Sequence, residues 1–578
     1  MKFVKCVQFI QALEQESSRT AMTKILAQLL EQCSACEAQI VAYLAMGSLF
    51  PAYKDQQFNI AQKGMVAIVA SLLGTTESAT SAIIKKTGDA GQVVGEMWDG
   101  KDQGLTLHQV YEALVKIAEI SGTGSTEKKL KSLVKLLEQL DGQGAKFVVR
   151  IVTKTMRLGF SDMTFLDGLS WMQAGDKSYS KKLEHAFNIC ADLGLVARTL
   201  KEDGVKGIEH MAIQVGIPIR PAAAERLTSP KAIIEKLGDC VAQPKLDGFR
   251  VQVHLRNIGS HQEVAFFSRN MLDMSDMFPD LKKVVTELPV KSLICEGEAI
   301  VYDEDTDTFL PFQETVKRKR KHDIEKVSEE LPLRLYLFDL LYLDGESMLD
   351  HSHAQRRAAL LEVCSKVKDE ALQVVEEKHI HSAKELEEYF LNSIGAGLEG
   401  LVVKREDAKY QPGKRNFNWI KLKREAHGSL VDTVDGVILG YYAGRGKRAK
   451  FGIGAFLLGV YDDHTDSFKT TAKVGTGLTD AEFKDLKKRC DKLVVDHQPK
   501  NVVCTKNLAP DVWVQPEIVC VIKSDEITMS PVHSAGKTDA HPGYGLRFPR
   551  FVAYREDKSA KDATTVTELK RLYQEQKA

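Results

Sequence analysis

The feature that most constrains this chain is a change in the spacing of its apolar residues near residue 215. Upstream of it, apolar residues recur at the three- and four-residue intervals of an amphipathic helix, for example at Leu130, Leu133, Val134, Leu137 and Leu140. Downstream of Pro218 and Pro221, they alternate with polar residues as in a half-buried strand. The alternating positions include Phe249, Val251, Val253 and Leu255. The sequence therefore predicts an all-α domain over residues 1–215 and a mixed α/β (α+β) domain over residues 216–425.

The remaining residues, 426–578, contain short strand-like runs and glycine-containing turns, with one helical insert that begins near Asp480. Short strands at this spacing are typical of a small β-barrel such as an OB-fold. A chain of 578 residues has room for three or four folded domains at about 150 residues each. We therefore predict three: helical, α/β and β-barrel.

Composition excludes several classes of protein. Lys and Arg number 79 in total, as do Asp and Glu, so the chain does not hold nucleic acid by net charge alone, although local basic patches can still bind it. No run reaches the about 18 consecutive apolar residues that a membrane helix needs, and the N-terminus lacks a secretory signal. The ten cysteines are scattered and are interpreted as reduced thiols. We predict a cytoplasmic or nucleoid protein, or a nuclear one in a eukaryote, with no membrane partner.

Lys245 is the strongest candidate nucleophile. It precedes a predicted strand, in a Lys-Leu-Asp-Gly-Phe-Arg run that ends at Arg250. A lysine amine attacks only when it is unprotonated, and burial and neighbouring cations favour that form. The pattern Lys-x-Asp-Gly also occurs at Lys201, but that copy ends a charged helical stretch and no strand follows it. The context therefore favours Lys245.

Other chemically active residue types follow Lys245 in order: Glu298, Phe338 and Glu399. In the run 419–423 the residues alternate, so Lys421 and Lys423 project from one face of a strand. Two like charges on one face repel each other unless an anion lies beside them. A triphosphate would supply that anion, and the two lysines would neutralise the charge that develops on its phosphates.

Taken together, these runs resemble the nucleotidyltransferase motifs of ATP-dependent DNA ligases. The runs are KLDGFR, FSRN, EGEAIVYD, LYLFDLLYLDG, EGLVVK and WIKLK, followed by RFPRF and REDK near the C-terminus. The helical N-terminal third, with KFVVR and RLGFSDM, is similar to the DNA-binding domain of the replicative ligases of archaea and eukaryotes. The resemblance covers essentially the whole chain. It implies a DNA-binding domain, a nucleotidyltransferase domain with ATP-grasp-like antiparallel sheets, and an OB-fold domain.

The resemblance also implies residue roles, with Lys245 forming a covalent lysyl-AMP. The implied ATP-binding residues are Gln243, Lys245, Arg250, Arg269, Glu298, Phe338, Arg415, Lys421 and Lys423. The implied ligands of Mg²⁺ (or Mn²⁺) are Glu298 and Glu399, and which of them binds the metal directly stays open. In the C-terminal domain the residues implied to orient pyrophosphate, during self-adenylylation only, are Arg555, Asp557 and Lys558. The predicted DNA-binding residues are Lys146, Arg150, Arg157, Lys447 and Arg448.

Gln243 is the one departure from the family pattern, which usually has Glu two residues before the nucleophile. A Gln oxygen can accept a hydrogen bond from the adenine N6 amino group while its NH₂ donates to N1. We therefore expect the preference for ATP to survive.

The activity implied is sealing of 5′-phosphate/3′-hydroxyl nicks in duplex DNA during replication, repair and recombination. Lys245 would attack the α-phosphate of ATP, the AMP would move to the 5′-phosphate of the nick, and the 3′-hydroxyl would then displace AMP. The expected partner is nicked duplex DNA, and the expected state is a monomer; whether a sliding clamp recruits the protein stays open. We expect removal of residues beyond about Ala560 to matter little.

Four sequence features each allow two interpretations. Phe338 is a base platform or an ordinary core aromatic. The glycine-rich breaks at 121–125 and 141–144 are simple turns or phosphate sites, and turns are favoured. The basic run 317–321 is a DNA-facing loop or a nuclear localisation signal, and the run 444–448 is a basic hairpin on DNA or a phosphate loop.

At the level of function, RNA ligases and mRNA capping enzymes share the same nucleotidyltransferase core but lack the helical domain. A catalytically idle nick-binding protein is the alternative from a different class. NAD-dependent ligases are disfavoured, because the chain has no four-cysteine zinc module. Comparing ATP with GTP on nicked DNA separates the first alternative from a DNA ligase.

Overall fold

The computed structural model describes residues 1–578 except 55, 260, 304–307, 310–314, 316–317, 319–327, 329, 397, 424–432, 445, 540 and 577–578, and it leaves undescribed the side chains of 303, 308, 446 and 447. The described chain divides into two compact units. The first comprises Met1–Ile68 and Met97–Arg424, and the second comprises Val69–Glu96 and Glu425–Ala578. The boundaries of the three predicted domains stay a prediction.

The N-terminal region is helical, as the spacing of its apolar residues predicts. Its helices α1 to α12 are Phe3–Gln15, Arg19–Glu31, Ala35–Ala45, Gln62–Leu73, Glu77–Thr87, Ala90–Met97, Leu107–Glu119, Ser125–Leu137, Gly142–Val152, Asp162–Ala174, Ser180–Cys190 and Leu193–Glu209. Side-chain caps set several of their starts: Asp141 accepts a hydrogen bond from the Gly144 amide at 2.7 Å and begins α9. Gly124, with a φ of +74°, precedes α8. The first break is therefore a turn before α8, and the second is the N-cap and first turn of α9.

The middle of the chain forms two sheets. Its strands β1 to β12 are Ala223–Arg226, Cys240–Lys245, Phe249–Ile258, His261–Ser268, Ser292–Asp303, Thr308–Phe309, Leu333–Leu343, Glu346–Ser347, Leu372–Val374, Lys378–Ile380, Gly400–Lys404 and Arg415–Lys423. Its helices α13 to α16 are Pro230–Leu237, Pro279–Thr286, His353–Cys364 and Ala383–Gly395. A 3₁₀ turn spans Ser275–Met277.

The first sheet has the order β1-β12-β11-β2-β10, with β12, β11 and β2 antiparallel. One face is apolar and packs on α13 and α16 through a cluster that includes Ala242, Leu401 and Ile420. In the register, Gly400 pairs with both Lys245 and Lys423, so these positions share the opposite face. The alternation of the sequence thus separates a core face from a polar face.

The second sheet has the order β4-β3-β5-β7-β8, with β6 beside β5 and β9 beside β7. Here Arg250 pairs with Glu298, and Glu298 pairs with Tyr336. Its apolar face and helices α14 and α15 form the largest core of this region, which includes Val253, Phe278 and Leu360. Both sheets are mainly antiparallel, in agreement with a mixed α/β (α+β) region.

The second unit contains the C-terminal sheets. Strands β13 to β22 are Val434–Tyr442, Ala455–Asp462, Ser467–Val474, Val494–Val495, Val502–Val503, Val512–Val514, Val519–Lys523, Glu526–Ser530, Gly543–Arg547 and Arg550–Tyr554. Helices α17 and α18 are Asp480–Asp491 and Val566–Glu575, and 3₁₀ turns span Gly446–Phe451, Lys506–Leu508 and Ala560–Asp562. Eight strands form one sheet, and β20 pairs with β21 in a hairpin. The prediction of short strands with a helical insert is confirmed.

Helix α18 corrects the expectation that residues beyond about Ala560 matter little. Leu569 and Leu572 are buried in the core of the C-terminal region. The Gln576 side chain forms two hydrogen bonds of 2.7 Å with the backbone of Ile527. The last helix therefore closes the core.

Among the described residues, no single helix has the length and apolarity to cross a membrane, and one bent pair, Gln62–Leu73 with Glu77–Thr87, passes that test by length and composition only.

Candidate active site

The centre of the site is the carboxylate of Glu399, which lies between two lysines. Lys245 ends β2, and its Nζ is 2.5 Å from Glu399 Oε2. Lys423, which ends β12, forms an ion pair with Glu399 Oε1. Although burial opposes ionisation, the charges of Lys245 and Lys423 lower the pKa of Glu399 below its usual value. Glu399 is thus an ionised bridge between the predicted nucleophile and a predicted phosphate ligand.

Gly400 makes this bridge possible. Its φ is +141°, and a Cβ atom there would lie 2.2 Å from the Leu422 carbonyl oxygen. The close approach of the three strands lets the Glu399 amide donate to the Lys245 carbonyl at 3.2 Å. Any side chain at position 400 would separate the strands that carry Lys245 and Lys423.

Three further cations predicted to bind ATP gather near this bridge. Burial lowers the pKa of Lys421, and the positive charges of Lys423, Arg415, Arg269 and Lys245 lower it further. Within the described ranges, Arg269 and Arg415 have no carboxylate partner, and both are exposed. The structure therefore groups five predicted site cations, two of which contact Glu399.

Glu298 contributes a second carboxylate from the second sheet. It accepts a hydrogen bond from the Gly248 amide at 3.1 Å. Burial raises the pKa of Glu298 to about 7, although the charges of Lys245 and Arg250 oppose that rise. Gly248 is required here, because a Cβ atom would lie 2.5 Å from the Ala299 carbonyl oxygen.

Arg250 is held by protein groups. Its Nη2 donates to both oxygens of Glu296, at 3.0 and 2.9 Å, and its Nη1 donates to the Ala222 carbonyl at 2.8 Å. The Tyr410 hydroxyl donates to the same carboxylate at 2.8 Å. Arg250 thus connects Glu296 with the Ala222 backbone. Its predicted contact with a phosphate stays a prediction.

Phe338 lies in β7 among charged and aromatic neighbours. Its ring makes an edge contact with Trp419, with centroids 6.1 Å apart, and Arg250 and Lys404 lie 5.5 and 5.1 Å from its centre. Lys404 is buried and donates to the Phe338 carbonyl at 3.0 Å. Burial lowers the pKa of Lys404 to about 8. The ring is half-buried, as either a base platform or a core aromatic would be.

A buried ion pair directly follows Phe338. Asp339 receives two hydrogen bonds from Arg356, at 2.7 and 3.1 Å. Sequence reasoning missed Arg356, and it placed Glu296 and Lys404 in the motifs without giving them a role. The signal for Lys404 was present, since a lysine ends an otherwise apolar strand, whereas nothing local marks Arg356.

Gln243 is buried, and its amide is already engaged. Its Nε2 donates to Glu377 Oε2 at 2.7 Å. Glu377 also receives a hydrogen bond from His353 at 2.8 Å and faces Arg357 Nε at 3.2 Å. Glu377 thus takes one of the two amide hydrogens of Gln243, and the expected donation from this NH₂ to adenine N1 stays a prediction.

The predicted C-terminal motif is brought together by Asp435 of the same unit. One oxygen of Asp435 accepts from Arg555 Nη1 at 3.0 Å and from Lys558 Nζ at 2.8 Å. Arg555 also forms two hydrogen bonds with Asp557, at 2.9 and 2.8 Å. The three predicted residues therefore form one cluster, and sequence reasoning missed its anchor.

Two of the predicted DNA-binding residues of the helical region form ion pairs within the protein. Lys146 and Arg150 both pair with Glu14, at 2.6 and 2.7 Å, and Arg150 is 2% exposed. Arg157 is half-buried with a φ of +57°. Arg150 thus pairs with a protein carboxylate, and the DNA contacts of these three residues stay predictions.

The basic runs are described only in part. Arg448 donates to the Gly454 carbonyl at 2.9 Å and lies over the Phe483 ring, whereas the side chain of Lys447 is outside the described residues. Of the run 317–321, only Arg318 is described; it is buried and pairs with Asp280 at 2.6 Å. Arg318 therefore does not face solvent, and the rest of the run lies outside the described residues.

In the part of the chain that the structure describes, no group of three or more His, Cys, Asp or Glu could hold a metal ion. Glu399 and Glu298, however, both interact with Lys245, by direct contact and by charge respectively. Mg²⁺ is typically held by one or two carboxylates together with substrate phosphates, so these two residues fit a metal bound jointly with a nucleotide.

Comparisons with known proteins agree along the whole chain. Sequence models described as "DNA ligase N terminus", "ATP dependent DNA ligase domain" and "ATP dependent DNA ligase C terminal region" match residues 2–170, 221–423 and 449–558. The chain is 42% identical to the "Probable DNA ligase" of Dictyoglomus thermophilum, covering 100% of this chain and 98% of the relative. It is 38% identical to "DNA ligase 2" of Thermofilum pendens, covering 98% and 96%. A solved structure titled "Pmar-Lig_PreS3" has a similar fold, with a TM-score of 0.56 and 18% identity, covering 95% and 99%.

Proposed function

The chain belongs to the ATP-dependent DNA ligase family, and we propose that Lys245 is the residue that carries the adenylyl group. It is an enzyme that seals nicks in DNA, with ATP and a divalent metal ion such as Mg²⁺. The observation that carries the residue assignment is the position of Lys245: its amine contacts Glu399, and it belongs with four other predicted phosphate ligands to one group of cations. The four are Lys421, Lys423, Arg269 and Arg415.

In the first step, Lys245 Nζ attacks the α-phosphorus of ATP; an N–P bond forms, and the P–O bond to pyrophosphate breaks. Glu399 Oε2 lies 2.5 Å from Lys245 Nζ, so it is positioned to accept the proton that the ammonium must lose. Lys421 and Lys423 lie on the same face of the sheet and neutralise charge on the phosphates. Bound by Glu298 and Glu399, the metal ion would supply Lewis-acid stabilisation of the phosphate oxygens.

In the second step the AMP passes from Lys245 to the 5′-phosphate of the nick, and in the third the 3′-hydroxyl attacks that phosphate and releases AMP. We assign Arg269, Arg415 and Arg250 to phosphate binding or support in these steps, and Phe338 to stacking on adenine. Each step is phosphoryl transfer in one pocket, so positioning and positive charge provide most of the catalysis.

The remaining assignments extend beyond the central site. We assign an OB-fold to the C-terminal domain (residues 426–578), and to Arg555, Asp557 and Lys558 the orientation of pyrophosphate in the first step only. We assign residues 1–215 to DNA binding and residues 216–425 to nucleotidyl transfer. The protein acts as a monomer in the cytoplasm or nucleoid. Its contacts to DNA are mainly to phosphates, which makes binding dependent on salt and independent of sequence.

Intact-protein mass spectrometry after incubation with ATP and Mg²⁺ tests this assignment. We expect one adenylyl group on Lys245, which is lost when nicked duplex DNA is added. Lys245→Ala should form no adduct and should still bind the nick. An adduct on another residue would refute the assignment of Lys245, and an adduct formed only with GTP would point to capping chemistry.

A further inference from the structure

We propose that Glu377 is a specificity-determining residue, which fixes the Gln243 amide so that its oxygen faces the nucleotide base and selects adenine over guanine. The inference rests on the proposed function in one respect: it takes Gln243 to lie beside the base of a nucleotide whose α-phosphate reaches Lys245. It adds a positioning partner to the site and explains why this chain carries Gln at position 243.

The orientation of Gln243 follows from the ionisation of its partner. Burial opposes a charge on Glu377, but the His353 hydrogen bond and the charges of His353 and Arg357 lower the pKa of Glu377 below its usual value. An ionised carboxylate can only accept hydrogen bonds. The Gln243 atom that lies 2.7 Å from Glu377 Oε2 must therefore be the NH₂ nitrogen.

The other end of the amide is then an acceptor. Gln243 Oε1 receives no hydrogen bond from any of the residues described, so its lone pairs are available to a ligand. His353 contacts the same oxygen of Glu377 and Arg357 the other oxygen, and the His353 side chain is 1% exposed. Because this network is buried, rotating the Gln243 amide would break a buried hydrogen bond and would be costly.

The position of Gln243 along the sheet places it at the base end of the site. Gln243 and Lys245 are two residues apart on one strand, about 7 Å along the same face. In the adjacent strands, Lys421 shares the Gln243 register row through Val402. The next row holds Lys404 and Trp419, which contact the ring of Phe338. Gln243 thus lies level with Lys421, between the row of Lys245 and Lys423 and the row of Lys404 and Trp419.

The two purines differ at the atom that this oxygen would meet. Adenine presents an N6 amino group, which donates, whereas guanine presents O6, which accepts. The fixed oxygen of Gln243 can accept from adenine and opposes guanine. If the amide were free to rotate, its NH₂ could satisfy guanine O6 and the discrimination would be lost.

The same geometry explains the departure from the family pattern. A Glu at position 243 would bring a second carboxylate within hydrogen-bond distance of Glu377, and one of the two would have to stay protonated. Gln provides an acceptor toward the base and a donor toward Glu377 at once. A change of residue type at position 243 should therefore be accompanied by a change at position 377.

The test compares the rates of covalent adduct formation with ATP and with GTP, on the full-length enzyme with Mg²⁺. Glu377→Gln should lower the ATP-over-GTP ratio of kcat/KM by at least about tenfold, because its own amide can serve either orientation of Gln243. Glu376→Gln is the matched control, since it removes the same charge from the exposed neighbouring residue. The double exchange Gln243→Glu with Glu377→Gln should restore the ratio, because a carboxylate at 243 can only accept.

A purely structural role of Glu377 would lower both rates equally, leave their ratio unchanged and gain nothing from the double exchange; that result overturns the inference. If Glu377→Gln alone does not fold, the double exchange decides: an ATP preference equal to the original supports the inference, and a preference at least tenfold lower overturns it. Absence of any adduct in the unaltered enzyme, or its survival in Lys245→Ala, would instead refute the proposed function.

Discussion

Replacing Glu298 by Gln tests the acid in the site whose pKa is raised by burial. Burial raises the pKa of Glu298 to about 7, against the opposing influence of Lys245 and Arg250. The folded protein therefore binds this proton more tightly than the unfolded chain does. Its contribution to stability is complete below the ordinary pKa of 4.5 and is lost as the pH rises through about 7. The variant Glu298→Gln lacks this titration.

The expected size follows from the two pKa values. A change from 4.5 to about 7 corresponds to a total loss of about 3 kcal/mol, at about 1.4 kcal/mol for each tenfold change. About 1.4 kcal/mol of it is already lost at pH 5.5, so about 2 kcal/mol remains to be lost by pH 8.5. Relative to Glu298→Gln, the unaltered protein should thus weaken by about 2 kcal/mol between these two pH values.

Hydrogen exchange of the amides in β5, measured on the full-length protein without metal, is a suitable assay because β5 carries Glu298. Comparing the two proteins at the same pH cancels the intrinsic dependence of exchange on pH. Protection in β5 should fall relative to the variant by about 30-fold from pH 5.5 to 8.5, which is the equivalent of about 2 kcal/mol. A constant difference between the proteins would show that Glu298 does not titrate in this range and would refute the reasoning.

Three further predictions concern the residues that sequence reasoning missed. Glu14→Ala removes the carboxylate beside the buried Arg150 and should cost about 3 kcal/mol, seen as faster exchange in α9; unchanged exchange would contradict it. Ending the chain after Ala563 removes Leu569 and Leu572 from the core and should cost at least about 4 kcal/mol, seen as rapid proteolysis of the C-terminal region; equal resistance would contradict it. Asp435→Asn should slow self-adenylylation at least about tenfold and spare sealing of a pre-adenylylated nick, in single-turnover assays; equal loss of both reactions would indicate a structural role only.

Local patterns were sufficient to predict the secondary structure and the central chemistry. Helical spacing and strand alternation depend on residues that are close in sequence, so the sequence predicts them directly. The same holds for Lys421 and Lys423, whose shared face follows from their separation by two residues. The ordered motifs added Glu399 and Glu298, which the structure places with Lys245.

The partners of several predicted residues could not be found this way, because they lie far away along the chain. Arg150 and Glu14 are separated by 136 positions, Gln243 and Glu377 by 134, and Lys558 and Asp435 by 123. No periodicity connects residues at such distances. For Lys146, Arg150 and the Gln243 amide, the sequence shows the donor but not the protein group that accepts from it, and their contacts with DNA and adenine stay predictions.

The charge arrangement around Lys245 explains how one pocket serves a nucleophile that must be both held and released. The charges of Lys423, Arg415, Arg269 and Lys245 act on Lys421, and Glu399 bridges Lys245 and Lys423. The surrounding positive charge and burial lower the pKa of Lys421, and the ion pair with Glu399 holds the Lys245 amine in place. A triphosphate would satisfy the other cations and bring metal to the carboxylate, which weakens the hold on Lys245. Substrate binding and activation of the nucleophile are therefore coupled through a single carboxylate, and Glu399→Gln should uncouple them by freeing Lys245 while weakening metal binding.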